Sequence, residues 1–256
     1  MNSSDSIVIL RQLEKSFGPQ KVLRGVDLEV RRGETMVIIG TSGGGKSVIL
    51  KHCIGLLQPD GGEVIVDGKV ISSPDFIDVN TIRRRMGMLF QGSALFDSMN
   101  VGENIKFAVR EHNPEFSERK LDAMVAEKLQ LINLSPDIRF KMPSELSGGM
   151  KKRLGLARAI ALNPEILLYD EPTTGLDPIT SDVINDLILD MQQKLGVTSM
   201  VVTHDMVSAY KVANRIAMLH EGRIIFMGTP DEIRATPNPY VQQFIRGQKK
   251  ILGDMG

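Results

Sequence analysis

The sequence predicts an α/β fold: a mixed, mostly parallel sheet core with right-handed crossovers, an antiparallel β-subdomain at the N-terminal end and an inserted α-helical subdomain. Three observations predict it. Short apolar runs ending in polar residues, such as Met36–Ile39, Ile166–Tyr169 and Thr198–Thr203, alternate with stretches of helical spacing, as strand–helix–strand crossovers do. Extended, mostly apolar-in segments run from Ile7 to about Val30 around a turn at Gly18-Pro19. From about Asn100 to Asn163 the alternation gives way to helical spacing, and the core resumes at Ile166.

Taken in order, Leu23, Val26, Leu28 and Val30 give the second early strand its buried face. Arg31-Arg32-Gly33-Glu34 turns the chain into the strand that ends at Gly40. A helix is expected from Ser47 to Leu57, with Ile49, Leu50, Cys53, Ile54 and Leu57 on one stripe and Pro59-Asp60-Gly61-Gly62 as its end. Glu63–Asp67 alternates as a strand, and Gly68 turns it. Arg83-Arg84-Arg85 reads as a solvated helix end before a strand over Met86–Phe90. Ser117 is expected to cap a helix whose stripe, Leu121, Met124, Val125, Leu129 and Ile132, is core packing. Ser147-Gly148-Gly149 opens a helix through Leu154, Ala157 and Ile160 that stops at Asn163-Pro164. A further helix spans about Ile179 to Leu195 and closes at Gly196. Short strands follow near Arg215–Leu219 and Arg223–Met227, then two short helices and a frayed end.

Composition narrows the functional classes. Hydrophobic residues at 42% and charged residues at 24% are ordinary for a globular chain of 256 residues. Lys plus Arg and Asp plus Glu are 31 each, so the formal net charge is zero. A nucleic-acid binder would carry a basic excess. Trp is absent, which disfavours base-stacking platforms. The single cysteine, Cys53, allows no internal disulfide and sits on an apolar helix face, as a structural thiol in a reducing compartment does. The first residues, Met1 to Ser6, show no basic-then-apolar leader, and no run reaches the roughly eighteen apolar residues of a membrane span. No export signal and no membrane crossing are therefore expected.

The chemistry begins at Gly40-Thr41-Ser42-Gly43-Gly44-Gly45-Lys46-Ser47, set between a strand and a helix. This is a phosphate-binding P-loop pattern in the context that gives it meaning. Glycines let successive N–H groups turn inward as an anion nest, and the helix adds its positive dipole end. Lys46 supplies a point charge for the β- and γ-phosphates, and Ser47 a hydroxyl for Mg²⁺. In open sheets ligands gather at the carboxyl ends of strands, where Gln91, Asp170-Glu171 and His204 also stand. Asp170 follows four apolar residues, and a buried carboxylate beside phosphates has Mg²⁺ as its natural partner. Glu171 is read as the carboxylate that orients or deprotonates the attacking water, the other reading being a helix N-cap pair. His204 is read as a γ-phosphate contact, and Gln91 either as a ligand or as a cap for the next loop. Ser147-Gly148-Gly149, with Lys151, Lys152 and Arg153 behind it, is a second anion-type helix start. It is either structural or serves a nucleotide held by another copy.

This set of residues, together with Leu146 and Met150 around the second loop and Gly175-Leu176-Asp177-Pro178, resembles the ATP-binding-cassette (ABC) ATPases, in order and spacing, from about Ile7 to Gly228. The resemblance implies a P-loop NTPase domain over 1–236, with the helical insert at about 100–163, and a C-terminal tail over 237–256. It implies ATP and Mg²⁺ as cofactors, with Ser47, Gln91 and Asp170 on the metal. It implies that Phe17 stacks on adenine, the other reading being a core aromatic, and that Ser147-Gly148-Gly149 of one subunit closes over the ATP of the other. Asp177 then belongs to the loop linking the two sites, and Gln91 senses a membrane partner. Val48 and Met150 depart from the commoner pattern, which has Thr and Gln there. With Gln91-Gly92-Ser93-Ala94-Leu95-Phe96, Met142-Pro143-Ser144 and Asp177-Pro178-Ile179-Thr180, they resemble the Mla (maintenance of lipid asymmetry), toluene-tolerance or Mce-associated branch. Val48 removes a hydroxyl near the α-phosphate and Met150 an amide near the other copy's nucleotide; the backbone cradle is expected to survive both.

The expected protein is thus a transport-coupled ATPase that homodimerises on ATP, with Lys46, Glu171 and His204 as its catalytic side chains. Integral-membrane permease subunits are its expected partners, joined by a STAS-type accessory and a Mce-type substrate-binding protein, with phospholipid as cargo, no nucleic acid, and a place on the cytoplasmic face of the inner membrane. A soluble, non-transport cassette acting on ribosomes or DNA is the alternative. Ribosomal members usually hold two cassettes, and DNA-repair members insert a long coiled coil that this chain lacks. A small-molecule P-loop kinase would leave Ser147-Gly148-Gly149 and His204 unused.

Overall fold

A computed structural model describes residues 5–73 and 78–247. In chain order they form β1 (Ser6–Phe17), β2 (Gln20–Arg31), β3 (Thr35–Ile39), α1 (Lys46–Cys53), β4 (Gly61–Val66), β5 (Lys69–Val70), α2 (Val79–Arg84), β6 (Met86–Leu89), α3 (Val101–His112), α4 (Glu118–Leu131), α5 (Gly148–Ala159), β7 (Ile166–Asp170), α6 (Pro178–Leu195), β8 (Thr198–Thr203), α7 (Met206–Val212), β9 (Arg215–His220), β10 (Arg223–Gly228), α8 (Pro230–Ala235) and α9 (Pro239–Ile245). These residues fall into two compact units, 5–73 with 202–247, and 78–201. Residues 248–256 of the expected tail lie outside the described residues.

In the first unit, β1 and β2 pair antiparallel, as the early apolar alternation predicts, and β4 and β5 extend them into a sheet of order β2-β1-β4-β5. Val8 faces Val30 on one side and Val66 on the other, and all three are buried. Gly61 and Gly62, expected to end the preceding helix, belong to β4, which starts two residues before the expected Glu63. The reason is a bulge in β1. Gln12 takes φ 45° and donates its N–H to the Asp27 carboxylate at 2.8 Å. A Cβ on Gly62 would stand 2.2 Å from the Gln12 carbonyl oxygen, so only glycine lets β4 pass.

β3 is buried throughout and pairs in parallel with β9, which pairs antiparallel with β10. Arg215, at the start of β9, grips Glu34 through two guanidinium nitrogens at 2.9 and 2.6 Å, a bidentate pair that anchors the turn after β2. α1 stops at Cys53, four residues short of Leu57, because Gly55 takes φ +68° and its N–H and that of Leu56 return to the carbonyls of His52 and Lys51. A left-handed glycine just past the helix ends it before the Pro-Gly cluster is reached. Cys53 is fully buried, and desolvation pushes its thiol up to about 12.

In the second unit β6 pairs in parallel with β7, Met86 opposite Ile166 through Leu89 opposite Tyr169. α5 lies directly on β6, since a Cβ on Gly87 would be 2.2 Å from the Ala159 carbonyl oxygen. Asn100 and Ser117 cap α3 and α4, accepting from the N–H groups of Glu103 and Lys120. Leu121, Val125, Leu129 and Ile132 are buried as expected, but Met124 is only half-buried. Of the arginine run, Arg84 is exposed as expected, whereas the half-buried Arg85 holds the Glu165 carboxylate at 2.8 and 2.7 Å and so pins the start of β6 to the start of β7. Among the described residues no helix is long and apolar enough to cross a membrane.

Candidate active site

The loop between β3 and α1 is built by its backbone. Gly43 and Gly45 take φ +74° and +99°, conformations that L side chains rarely adopt. A Cβ on Gly45 would meet Val22 Cγ1 at 2.8 Å. Gly45 is also the N-cap of α1, and no side chain caps that end. The loop therefore presents a helix N-terminus framed by left-handed glycines, the geometry of an anion cradle. Lys46 is buried and turned back along the loop, its Nζ donating to the carbonyls of Gly40 and Thr41 at 3.0 Å each. Thr41, Ser42 and Gly43 are exposed, while Ser47 and Val48 are half-buried.

Two more expected residues belong to this unit. Phe17 ends β1 and is 47% exposed, with the Lys15 ammonium 5.8 Å from its ring centre. It is a surface aromatic, and the core-residue reading is excluded. His204 is exposed and follows the end of β8. Its neighbour Asp205 caps α7, accepting from Val207 and Ser208 at 3.0 and 3.1 Å.

The second unit holds the acidic pair. β7 is buried over its whole length and delivers Asp170 at its end, 7% exposed, with Glu171 next at 8%. Glu171 takes φ 49°, and its carboxylate accepts from the Thr174 hydroxyl at 3.1 Å. The pair does not start a helix: α6 begins at Pro178 and is capped by Asp177, which accepts from the N–H and hydroxyl of Thr180. Those bonds, the hydroxyl's first, hold the Asp177 carboxyl below its ordinary range.

Gln91 is exposed, just past β6. Two of the three basic residues behind the second small-residue loop turn to protein carbonyls. Lys152 turns inward, is buried, and donates to the carbonyls of Gln91 and Glu171, and Arg153 donates to the carbonyl of Asn133 at 2.7 Å. Burial lowers the pKa of both cations, and for Lys152 the carboxylates of Asp170 and Glu171 oppose that effect. Ser147 caps α5 by accepting from Met150 N–H at 3.3 Å. Gly148 is exposed, and Gly149 is buried against α6, where a Cβ would be 2.4 Å from Thr180 Cγ2. Lys152 and Thr174 are the contributors that sequence reasoning missed; the only signal for Thr174 was its position three residues beyond Glu171.

Ser47, Gln91 and Asp170 offer a hydroxyl, an amide oxygen and a carboxylate. Each of these is an oxygen donor of the kind that suits Mg²⁺.

Residues 23–174, more than half of the chain, match the family model described as ABC transporter. The chain belongs to the ABC transporter ATPase family, and it hydrolyses ATP to ADP and phosphate. Its relatives narrow the picture. It is 40% identical, over 96% of its length and 70% of the relative's, to the probable ribonucleotide transport ATP-binding protein mkl of Mycobacterium leprae. It is 38% identical, over 94% of its length and 89% of the relative's, to the intermembrane phospholipid transport system ATP-binding protein MlaF of Escherichia coli K12. In structure it resembles the dimeric ATP-binding cassette MJ0796 in a post-hydrolysis state bound to ADP and Pi, with a TM-score of 0.80 and 31% identity over 88% of this chain and 99% of that one.

Proposed function

We propose that this ATPase drives phospholipid transport by pairing with a second copy of itself around two ATP molecules. The observation that carries the reading is the buried pair Asp170-Glu171 at the carboxyl end of β7, with the Glu171 carboxylate held by Thr174. A fixed carboxylate of that kind orients and deprotonates an attacking water. The ATPase domain spans 1–236 with its helical insert at about 100–163, and 237–256 is a tail. Lys46 and the α1 N-terminus bind the phosphates, Phe17 stacks on adenine, and His204 contacts the γ-phosphate. Ser47, Gln91 and Asp170 hold Mg²⁺, which supplies neutralisation of phosphate charge when bound. The cradle tolerates Val48, because its donors are backbone groups. Ser147-Gly148-Gly149 covers the nucleotide of the opposite copy, as the dimeric state of the MJ0796 cassette supports. Closure performs work because ATP binds the closed state more tightly than the open one.

The cargo reading is supported by the likeness to MlaF over nearly the whole chain. It places the protein on the cytoplasmic face of the inner membrane, beside permease subunits, a STAS-type accessory and a Mce-type substrate-binding protein, in the upkeep of outer-membrane lipid asymmetry. The name of the mycobacterial relative favours a second cargo, a ribonucleotide. Purification from native membranes decides between them: co-isolated permease with phospholipid supports the first, and nucleotide-stimulated uptake without lipid supports the second. The catalytic reading is tested with Glu171→Gln. This variant is expected to accumulate as an ATP-bound dimer, and a monomer at saturating ATP that still hydrolyses at the wild-type rate overturns it.

A further inference from the structure

One face of α5 holds the loop that follows β6. Lys152 Nζ donates to the Gln91 carbonyl and, at 3.4 Å, to the Glu171 carbonyl. Six residues on, Arg158 donates to the Ala94 carbonyl, and its guanidinium lies 4.6 Å from the Phe96 ring centre. Between them Gly155 brings the helix into close contact: a Cβ there would lie 2.8 Å from Leu89 Cδ1 and 3.2 Å from Ser93. Positions 152, 155 and 158 recur at the spacing of one helix face. The backbone they touch is strained. Ser93, Ala94 and Glu171 take φ 63°, 47° and 49°, left-handed conformations for residues that carry a Cβ. Such conformations persist only where the surroundings hold them.

An ammonium has three donors and no acceptor, and a carbonyl oxygen has two lone pairs, so one lysine can bridge two carbonyls. Lys152 does so while buried at 6% exposure, where its charge is costly unless its contacts compensate. We propose that Lys152 is a positioning residue: its ammonium ties the Gln91 and Glu171 backbones together and links both to the helix that begins at Ser147. The assignment rests on the roles given above to Gln91 and Glu171. It adds that the geometry of these two groups is set by α5 rather than by their own strands alone.

The test uses the full chain carrying Lys152→Met or Lys152→Arg. Hydrogen exchange is measured without nucleotide on peptides covering 91–96 and 170–174, with α4 as the internal control. Lys152→Met is expected to speed exchange in both segments about tenfold and leave α4 unchanged, as a local opening would. Its kcat should fall about tenfold while KM for ATP moves less than about threefold, the signature of lost orientation rather than lost binding. Lys152→Arg, whose fork also donates to carbonyls, should restore both measurements to within about threefold. Unchanged exchange at 91–96 and 170–174 in Lys152→Met overturns the proposal. So does a joint loss of kcat, ATP affinity and thermal stability that Lys152→Arg does not rescue. Should Lys152→Met fail to fold, Lys152→Gln, which keeps an amide donor, is judged by the same exchange criterion. Wild-type turnover in Glu171→Gln would sink the functional reading alone, and the exchange result would still decide whether Lys152 restrains the two segments.

Discussion

The chain has two small-residue loops that each open a helix, and they are built on opposite principles. At α1 the N-cap is a left-handed glycine with no side-chain cap, and the neighbouring Lys46 folds back over the loop's own carbonyls. At α5 the N-cap is Ser147, whose hydroxyl already serves the Met150 N–H, and Lys152, one turn on, is buried against the carbonyls of Gln91 and Glu171. The first loop leaves its helix end without a side-chain cap. The second satisfies part of its own helix end and keeps Ser147 and Gly148 exposed. A motif match alone does not separate these cases; the cap residue and the partners of Lys46 and Lys152 do.

The largest test of the contrast removes the first loop's charge. Lys46→Ala should cost roughly a hundredfold or more in turnover at saturating ATP, the usual penalty for losing a positioned electrostatic donor, and a steady-state phosphate-release assay measures it. Next is a methyl group added to each loop. Gly45→Ala forces an L side chain into φ +99° against Val22 and should cost about 1–3 kcal/mol in urea denaturation. Gly148→Ala has only Leu176 Cδ2 at 3.7 Å and should stay within about 1 kcal/mol of the parent. Equal losses would erase the distinction between the loops. Ser147→Ala should cost about 1 kcal/mol by removing the cap of α5, whereas α1 has no side-chain cap to lose.

The smallest effect concerns the buried base behind the first loop. His52 is 1% exposed, and Nδ1 lies 2.7 Å from the Val48 carbonyl oxygen. Burial chiefly lowers its pKa from 6.5. The folded chain then binds fewer protons than the unfolded one as pH falls through 6.5, so stability present above that pH drains away below it. Denaturation midpoints at about pH 7.5 and about pH 5.5 should differ more in the parent than in His52→Leu.

Much of this was legible in the sequence because the signals were local. The loop from Gly40 to Ser47 lies between a strand and a helix, Ser117 caps α4, and Asp170, Gln91 and His204 stand at or just past strand ends, as the alternation predicted. What escaped depended on partners far along the chain. Arg85 looked unpartnered because Glu165 lies 80 residues away. Lys152 looked like part of an anion site because its acceptors are backbone carbonyls, which leave no mark in side-chain identity. Gly62 read as part of a helix end because the bulge at Gln12 that demands it is in another strand. The end of α1 was misjudged for a different reason: Gly55 was overlooked beside a louder Pro-Gly cluster.

The solitary thiol has a practical corollary. Cys53 is sealed in the core and reluctant to ionise, and only the thiolate attacks electrophiles. The native chain therefore serves as its own unreactive background for maleimide dyes. A lone cysteine introduced at an exposed site such as Ser144 would carry a fluorophore by itself, and energy transfer between two labelled copies would report their approach in real time without any other engineering.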